Sequence, residues 1–181
     1  MYIAEKKKRE NIAEYILYLF QIEDLIRSQS FAEDKIRHNI VDKYPVEDLE
    51  KEKIIHWYMN FAEMMKREHR EDKGHMQFIN NQMNDLFEFH SLVVKSNKYP
   101  QYNEAYLTVQ PSLVELATKM GDQAENEIQV SFSFLYGVVL LRMQQKEVSE
   151  GTLKVSKEIS TMLGMLASLY KKNQEEELDI Y

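Results

Sequence analysis

The sequence predicts an all-α protein, and three observations lead to that prediction. Apolar residues recur every three to four positions along most of the chain, which is the helical period. No useful length of chain alternates apolar and polar residues as a strand would. Only five glycines and three prolines interrupt the 181 residues. We expect one domain over 1–181, an elongated up-and-down bundle of about six to seven antiparallel helices, with 1–3 and 177–181 frayed.

Seven helices are predicted from the apolar stripes and from signals at their ends. Ser30 followed by Glu33, and Asp122 followed by Glu125, match the capping box that begins a helix. The predicted helices lie near 4–28, 31–42, 46–72, 75–97, 101–120, 123–145 and 150–176.

Prolines and glycines predict where these helices stop or bend. Tyr44-Pro45 ends the second helix, because the residue before a proline disfavours helical backbone. Gly74 is a typical stop for the third helix. Pro111 should break or kink the fifth helix, since its ring clashes with the preceding turn. Gly137, in the middle of the sixth helix, suggests close approach by a neighbouring helix.

The apolar stripes indicate how the helices pack. The fourth predicted helix carries a single apolar seam. The sixth has apolar residues on two sides, Phe132 on one and Phe134 on the other, which is typical of a surrounded helix. We therefore expect the sixth helix, and with it the first, to lie inside the bundle. The seam of the fourth helix consists of Met76, Ile79, Met83, Leu86, His90 and Val93.

Charge and cysteine content exclude several classes of function. The formal net charge is −7, and the one dense basic run, residues 6–9, is a poor footprint for nucleic acid. The longest apolar run, FLYGVVLL at 134–141, is too short to span a membrane. The chain has no cysteine, and the apolar stretch after its first lysines lacks a signal-peptide pattern. We expect a cytoplasmic protein with no nucleic-acid or membrane partner.

The five histidines form no recognisable metal motif. Di-iron bundles use Glu-x-x-His on two helices, and no histidine here follows a glutamate at that spacing. Neither H-E-x-x-H, G-x-S-x-G nor a glycine-rich phosphate loop occurs. We expect no metal, no cofactor and no catalytic residue, which favours a non-enzymatic protein. A site of histidines from separate helices, including His75 and His90, stays an alternative. The histidines are His38, His56, His69, His75 and His90.

One charged pair lies on the apolar face of the first predicted helix, which should be buried. On a helical wheel, Glu23 and Arg27 fall in the arc of Ile16, Leu19 and Phe20. Their i,i+4 spacing, with the acid first, favours an ion pair. Because buried charges are costly, the favoured interpretation is that the helix extends beyond the core and the pair is solvated. The alternative is a buried pair bonded to something further, with His75, Tyr136 or Arg142 as the partner.

Three segments resemble a bacterial family known as domain of unknown function 4924. They are KKKRENIAEYILYLFQIEDLIR (6–27), KGHMQFINNQMNDLFEFH (73–90) and SFLYGVVLLRMQQKEVS (133–149), in that order along the chain. The resemblance implies an all-helical cytoplasmic protein of this size, and it carries no assigned activity. The residues that match the family pattern are Glu14, Gln21, Glu23, Asp24, Arg27, Gly74, His75, Tyr136, Gly137 and Arg142.

The sequence favours a protein that works through protein contacts, including self-association, because the long helices carry more apolar surface than one bundle face needs. A small-molecule-binding bundle is the alternative, with a pocket lined by methionine and aromatic side chains. A histidine-based metal enzyme is the third hypothesis. The candidate polar site consists of Glu23, Arg27, His75, His90, Tyr136 and Arg142.

Overall fold

A computed structural model describes residues 2–176 and 178. That part of the chain is all-helical, with eight α-helices, no strand and 81% of residues in helix. The other residues are 1, 177 and 179–181, so most of the fraying predicted for the two ends lies outside the described residues. The helices are α1 (Tyr2–Glu10), α2 (Ile12–Ser28), α3 (Glu33–Asn39), α4 (Asp48–Arg67), α5 (Gln77–Ser96), α6 (Pro100–Met120), α7 (Glu127–Met143) and α8 (Glu150–Gln174). Short 3₁₀ turns occupy Val41–Lys43 and Gly121–Gln123.

The first predicted helix is two helices, divided at Asn11. Asn11 has an extended backbone, and its side-chain oxygen accepts hydrogen bonds from the backbone N–H groups of Ala13 and Glu14. This is the geometry of a helix N-cap. Residues 5–11 are all charged or polar, and neither a glycine nor a proline marks the junction, so the sequence was interpreted as one continuous helix.

Both predicted capping boxes are wrong. Ser30 has a positive φ of 55° and belongs to the chain reversal after α2, while no side chain caps α3. Asp122 lies in a 3₁₀ turn, and α7 begins later, capped by Asn126, whose side chain accepts from the N–H of Gln129. In both places a competing turn occupies the residues that the motif would need.

Two predicted interruptions also differ from the structure. The predicted break at Pro111 is wrong, because α6 continues through it. Pro111 lies on an exposed face, where water can bond the carbonyl of Leu107 that the proline ring leaves unpaired. The third predicted helix ends at Arg67, so Gly74, with a φ of 80°, belongs to the following loop rather than to a helix stop.

The predicted inner position fits α7 and the second part of the first predicted helix, α2, but not its first part, α1, which packs mainly against α2. α2 contacts α1, α4, α5, α7 and α8, and α7 contacts α2, α5, α6 and α8. Gly137 does not mark a close approach, however, because a Cβ added there would meet no atom within 4 Å. Within the described chain, no helix has the length and apolar content needed to cross a membrane.

Candidate functional site

Glu23 is completely buried, so the predicted solvated pair near the end of α2 is wrong. Its side chain is 0% exposed, and that of Arg27 is 15% exposed. The two side chains do not pair with each other: Arg27 Nη1 bonds the Asp24 carboxylate at 2.8 Å. The last turns of α2 therefore still pack against the core, and Glu23 and Arg27 each bond other partners.

The carboxylate of Glu23 joins α2 to the start of α5. Its Oε1 accepts the backbone N–H of Met76 at 2.8 Å, and its Oε2 lies 2.5 Å from Nδ1 of His75. Met76 is the N-cap residue of α5, where the helix dipole favours a negative charge. Both oxygens are thus hydrogen-bonded, which offsets the cost of removing a carboxylate from water.

His75 is held in one orientation by two contacts. Its ring stacks on Phe20, with centroids 3.6 Å apart and 10° between the planes. A carboxylate only accepts hydrogen bonds, so Nδ1 donates to Glu23. Within the described residues no hydrogen bond reaches Nε2, and the side chain is 27% exposed. Nε2 is thus free to accept a hydrogen bond from a ligand.

Arg27, on α2, hydrogen-bonds to the loop between α4 and α5. Its Nε and Nη2 donate to the carbonyl oxygen of Arg70 at 3.2 and 3.1 Å, and Nη2 also donates to the carbonyl of Gly74. Guanidinium is suited to this task because it presents five donors in a fixed plane. The loop has few backbone partners of its own, so the arginine supplies them.

Tyr136, on α7, hydrogen-bonds to the same cluster. Its hydroxyl donates to Oδ2 of Asp24 at 2.6 Å and lies 3.2 Å from the carbonyl oxygen of Phe20. Burial raises the pKa of Tyr136, and the hydrogen bond to the Asp24 carboxylate raises it further. The phenol therefore stays protonated and remains a donor at neutral pH.

A second buried polar cluster surrounds His90, farther along α5. His90 is 2% exposed. Its Nδ1 lies 2.5 Å from the hydroxyl of Tyr102, and its Nε2 lies 3.1 Å from Oε1 of Glu127. The hydroxyl of Tyr106 donates to the same Oε1 at 3.3 Å. Three helices, α5, α6 and α7, meet through these side chains.

Protonation in the second cluster follows from burial. Burial lowers the pKa of His90, against the opposing effect of the Glu127 carboxylate, so the imidazole is neutral at pH 7. Glu127 only accepts, so Nε2 carries the proton and Nδ1 accepts from the hydroxyl of Tyr102. Burial also raises the pKa of Tyr102, which keeps that hydroxyl a donor. Each hydrogen bond thus has one donor and one acceptor.

The predicted site residues divide between the two clusters. Glu23, Arg27, His75 and Tyr136 come together in the first, and His90 belongs to the second. Arg142 belongs to neither, because it is exposed in the last turn of α7. His38, His56 and His69 are exposed. Among the residues described, no three His, Cys, Asp or Glu side chains are placed to hold a metal ion.

Four side chains of these clusters were absent from the predicted polar site: Asp24, Tyr102, Tyr106 and Glu127. Asp24 had a usable signal, since Arg27 follows it at i+3 on one helix face. Tyr102 and Tyr106 are an i,i+4 pair on α6 that could have been matched to His90. Nothing local to Glu127 distinguishes it from the many surface carboxylates of the chain.

The fold and these clusters define an all-helical protein with two buried polar clusters between its helices. The chain belongs to the family described as Domain of unknown function (DUF4924), whose model matches residues 1–177. No curated protein and no solved structure shows significant similarity to it.

Proposed function

We propose that the protein is a self-associating helical module, and that a groove between α1, the segment before α4, and α4 is the contact surface. This N-terminal groove has a volume of about 530 Å³ and is lined mainly by Ile3, Tyr44, Val46, Ile54 and Trp57. Tryptophan and tyrosine are the residue types that most often anchor protein contacts. This groove, with its aromatic and aliphatic lining, is the main support for self-association.

An exposed leucine lies on the same face of α4 as part of the groove lining. Leu49 is 73% exposed, and it precedes the lining residues Lys53 and His56 by four and seven positions on the same face of α4. A two-fold contact brings the same patch of both copies together. Leu49 of one copy would then enter the groove of the second, while its own groove receives the second Leu49.

The charges at the groove favour an uncharged occupant. Lys53 Nζ and Glu50 Oε2 lie 2.9 Å apart, so these two lining charges neutralise each other. A leucine side chain meets this environment without leaving an unpaired charge. We infer in addition that sequential helices run antiparallel, which the short connections between them support.

The test measures self-association of the full chain directly. Sedimentation equilibrium from about 1 µM to about 1 mM covers the range of weak homodimers. Trp57 is the only tryptophan, so its fluorescence reports on the groove alone. We expect mass and Trp57 emission to change together with concentration. Leu49→Glu should weaken association by about tenfold or more, because it brings a charge into an apolar contact.

Leu107→Glu is the matched control. Leu107 is 62% exposed on α6, away from the groove residues, so its replacement adds the same charge elsewhere and should leave association unchanged. A chain that stays monomeric over the whole range would overturn the proposal. Equal effects of the two variants would place the contact outside the groove and would overturn it as well.

A further inference from the structure

The second cluster opens onto a pocket between α6 and α7. The Glu127 pocket has a volume of about 280 Å³, which is at the small end for a ligand site. Its walls combine aliphatic side chains with one aromatic hydroxyl, two carboxylates and two side-chain amides. The residues that line it include Tyr106, Leu113, Val114, Ala117, Glu127 and Val130.

The carboxylate of Glu127 is fixed at one oxygen and open at the other. His90 Nε2 and the Tyr106 hydroxyl both reach Oε1. No hydrogen bond from the described residues reaches Oε2, and the side chain is 32% exposed. The buried histidine therefore holds the carboxylate in place before any ligand arrives, which lowers the entropic cost of binding.

The pocket is electrostatically suited to a cation. Its lining includes two carboxylates, Glu125 and Glu127, and no lysine or arginine. The Tyr106 ring adds a face that attracts a positive charge.

We propose that the Glu127 pocket binds a small primary amine in its ammonium form, with Oε2 of Glu127 as the acceptor. The compact apolar part of the ligand lies against Leu113, Ala117 and Val130. His90 and Tyr102 do not touch the ligand; they position the carboxylate. The pocket volume limits the ligand to about the size of a single ring with a short arm.

The test uses benzylamine as the probe and benzyl alcohol as its neutral counterpart, each titrated into the full chain at neutral pH. Chemical shifts in two-dimensional amide NMR spectra report the site. We expect saturable shifts around 106–130 with benzylamine. Glu127→Gln, which keeps an acceptor for His90, should weaken binding by about tenfold or more, since a charge-assisted bond becomes a neutral one.

Two further variants separate the pocket from general attraction to an acidic protein. Glu115→Gln removes one exposed carboxylate from α6 and should leave benzylamine affinity unchanged. Ala117→Leu fills the pocket without changing charge and should abolish binding, with the circular dichroism spectrum showing that the fold is retained. Equal binding of benzyl alcohol, no saturable shift, or equal effects of the Glu127 and Glu115 variants would overturn the proposal.

Discussion

Glu23 shows how a buried charge is accommodated in a small helical protein. The helical wheel placed it correctly on the apolar face of α2, and the cost of burial then suggested that the helix must leave the core there. The structure supplies the missing donors from residues 75 and 76, more than 50 positions away along the chain. The alternative interpretation of the sequence did name His75 as a partner, whereas the backbone N–H of Met76 was not predictable, because every residue except proline carries one.

We predict that Glu23→Ala lowers the free energy of unfolding by about 3 kcal/mol or more. The substitution leaves the His75 ring and the Met76 N–H, both close to the core, without a hydrogen-bond acceptor. Glu14→Ala is the matched control on the same helix, since Glu14 is 61% exposed and pairs with Lys7. Its loss should stay below about 1 kcal/mol. Urea unfolding of both variants gives the comparison, and similar losses would show that the buried cluster contributes no more than a surface pair.

Helix boundaries depended on features that periodicity does not register. Periodicity gave the number and order of most helices but joined α1 to α2, and the capping-box motif misplaced the starts of α3 and α7. Asn11 followed by Glu14, directly before an apolar stripe, was a usable start signal, and Asn126 was another. Pro111 shows the opposite case, in which a breaker residue lies within a helix that continues around it.

At the scale of the element we predict that Pro111→Ala raises the free energy of unfolding by about 1 kcal/mol or more. The substitution restores a backbone donor to the middle of α6 and removes the ring clash, and Pro111 is exposed, so no cavity is left behind.

Pro100→Ala is the control for this prediction. Pro100 is the first residue of α6, where proline is well tolerated and restricts the unfolded chain. Its replacement should lower stability slightly, by about 0.5 kcal/mol. Thermal or urea unfolding distinguishes the two outcomes by sign, and a loss of stability in both variants would contradict the interpretation of Pro111.

Across the whole molecule, burial is uneven. α7 carries seven buried residues and α2 carries eight. Of the described side chains of α1, only Ala4 is buried. The sequence predicted the all-helical class and the two inner helices because those follow from apolar content. The alternative interpretation had placed Glu23, Arg27, His75 and Tyr136 in one site, but the sequence did not predict Asp24 in that cluster or the partners of His90, since each cluster is assembled from side chains of several helices.

Because α1 buries far fewer side chains than α2 or α7, we predict that α1 opens independently of the rest of the protein. α1 packs mainly against α2, and its tie to that helix includes the exposed Lys7–Glu14 ion pair at 3.0 Å, which contributes at most about 1 kcal/mol. Local opening needs little free energy where few apolar contacts are lost. Native-state hydrogen exchange should therefore show α1 amides exchanging through local opening, insensitive to low urea concentrations. The amides of α7 should exchange only with global unfolding, and equal protection of the two helices would contradict the prediction.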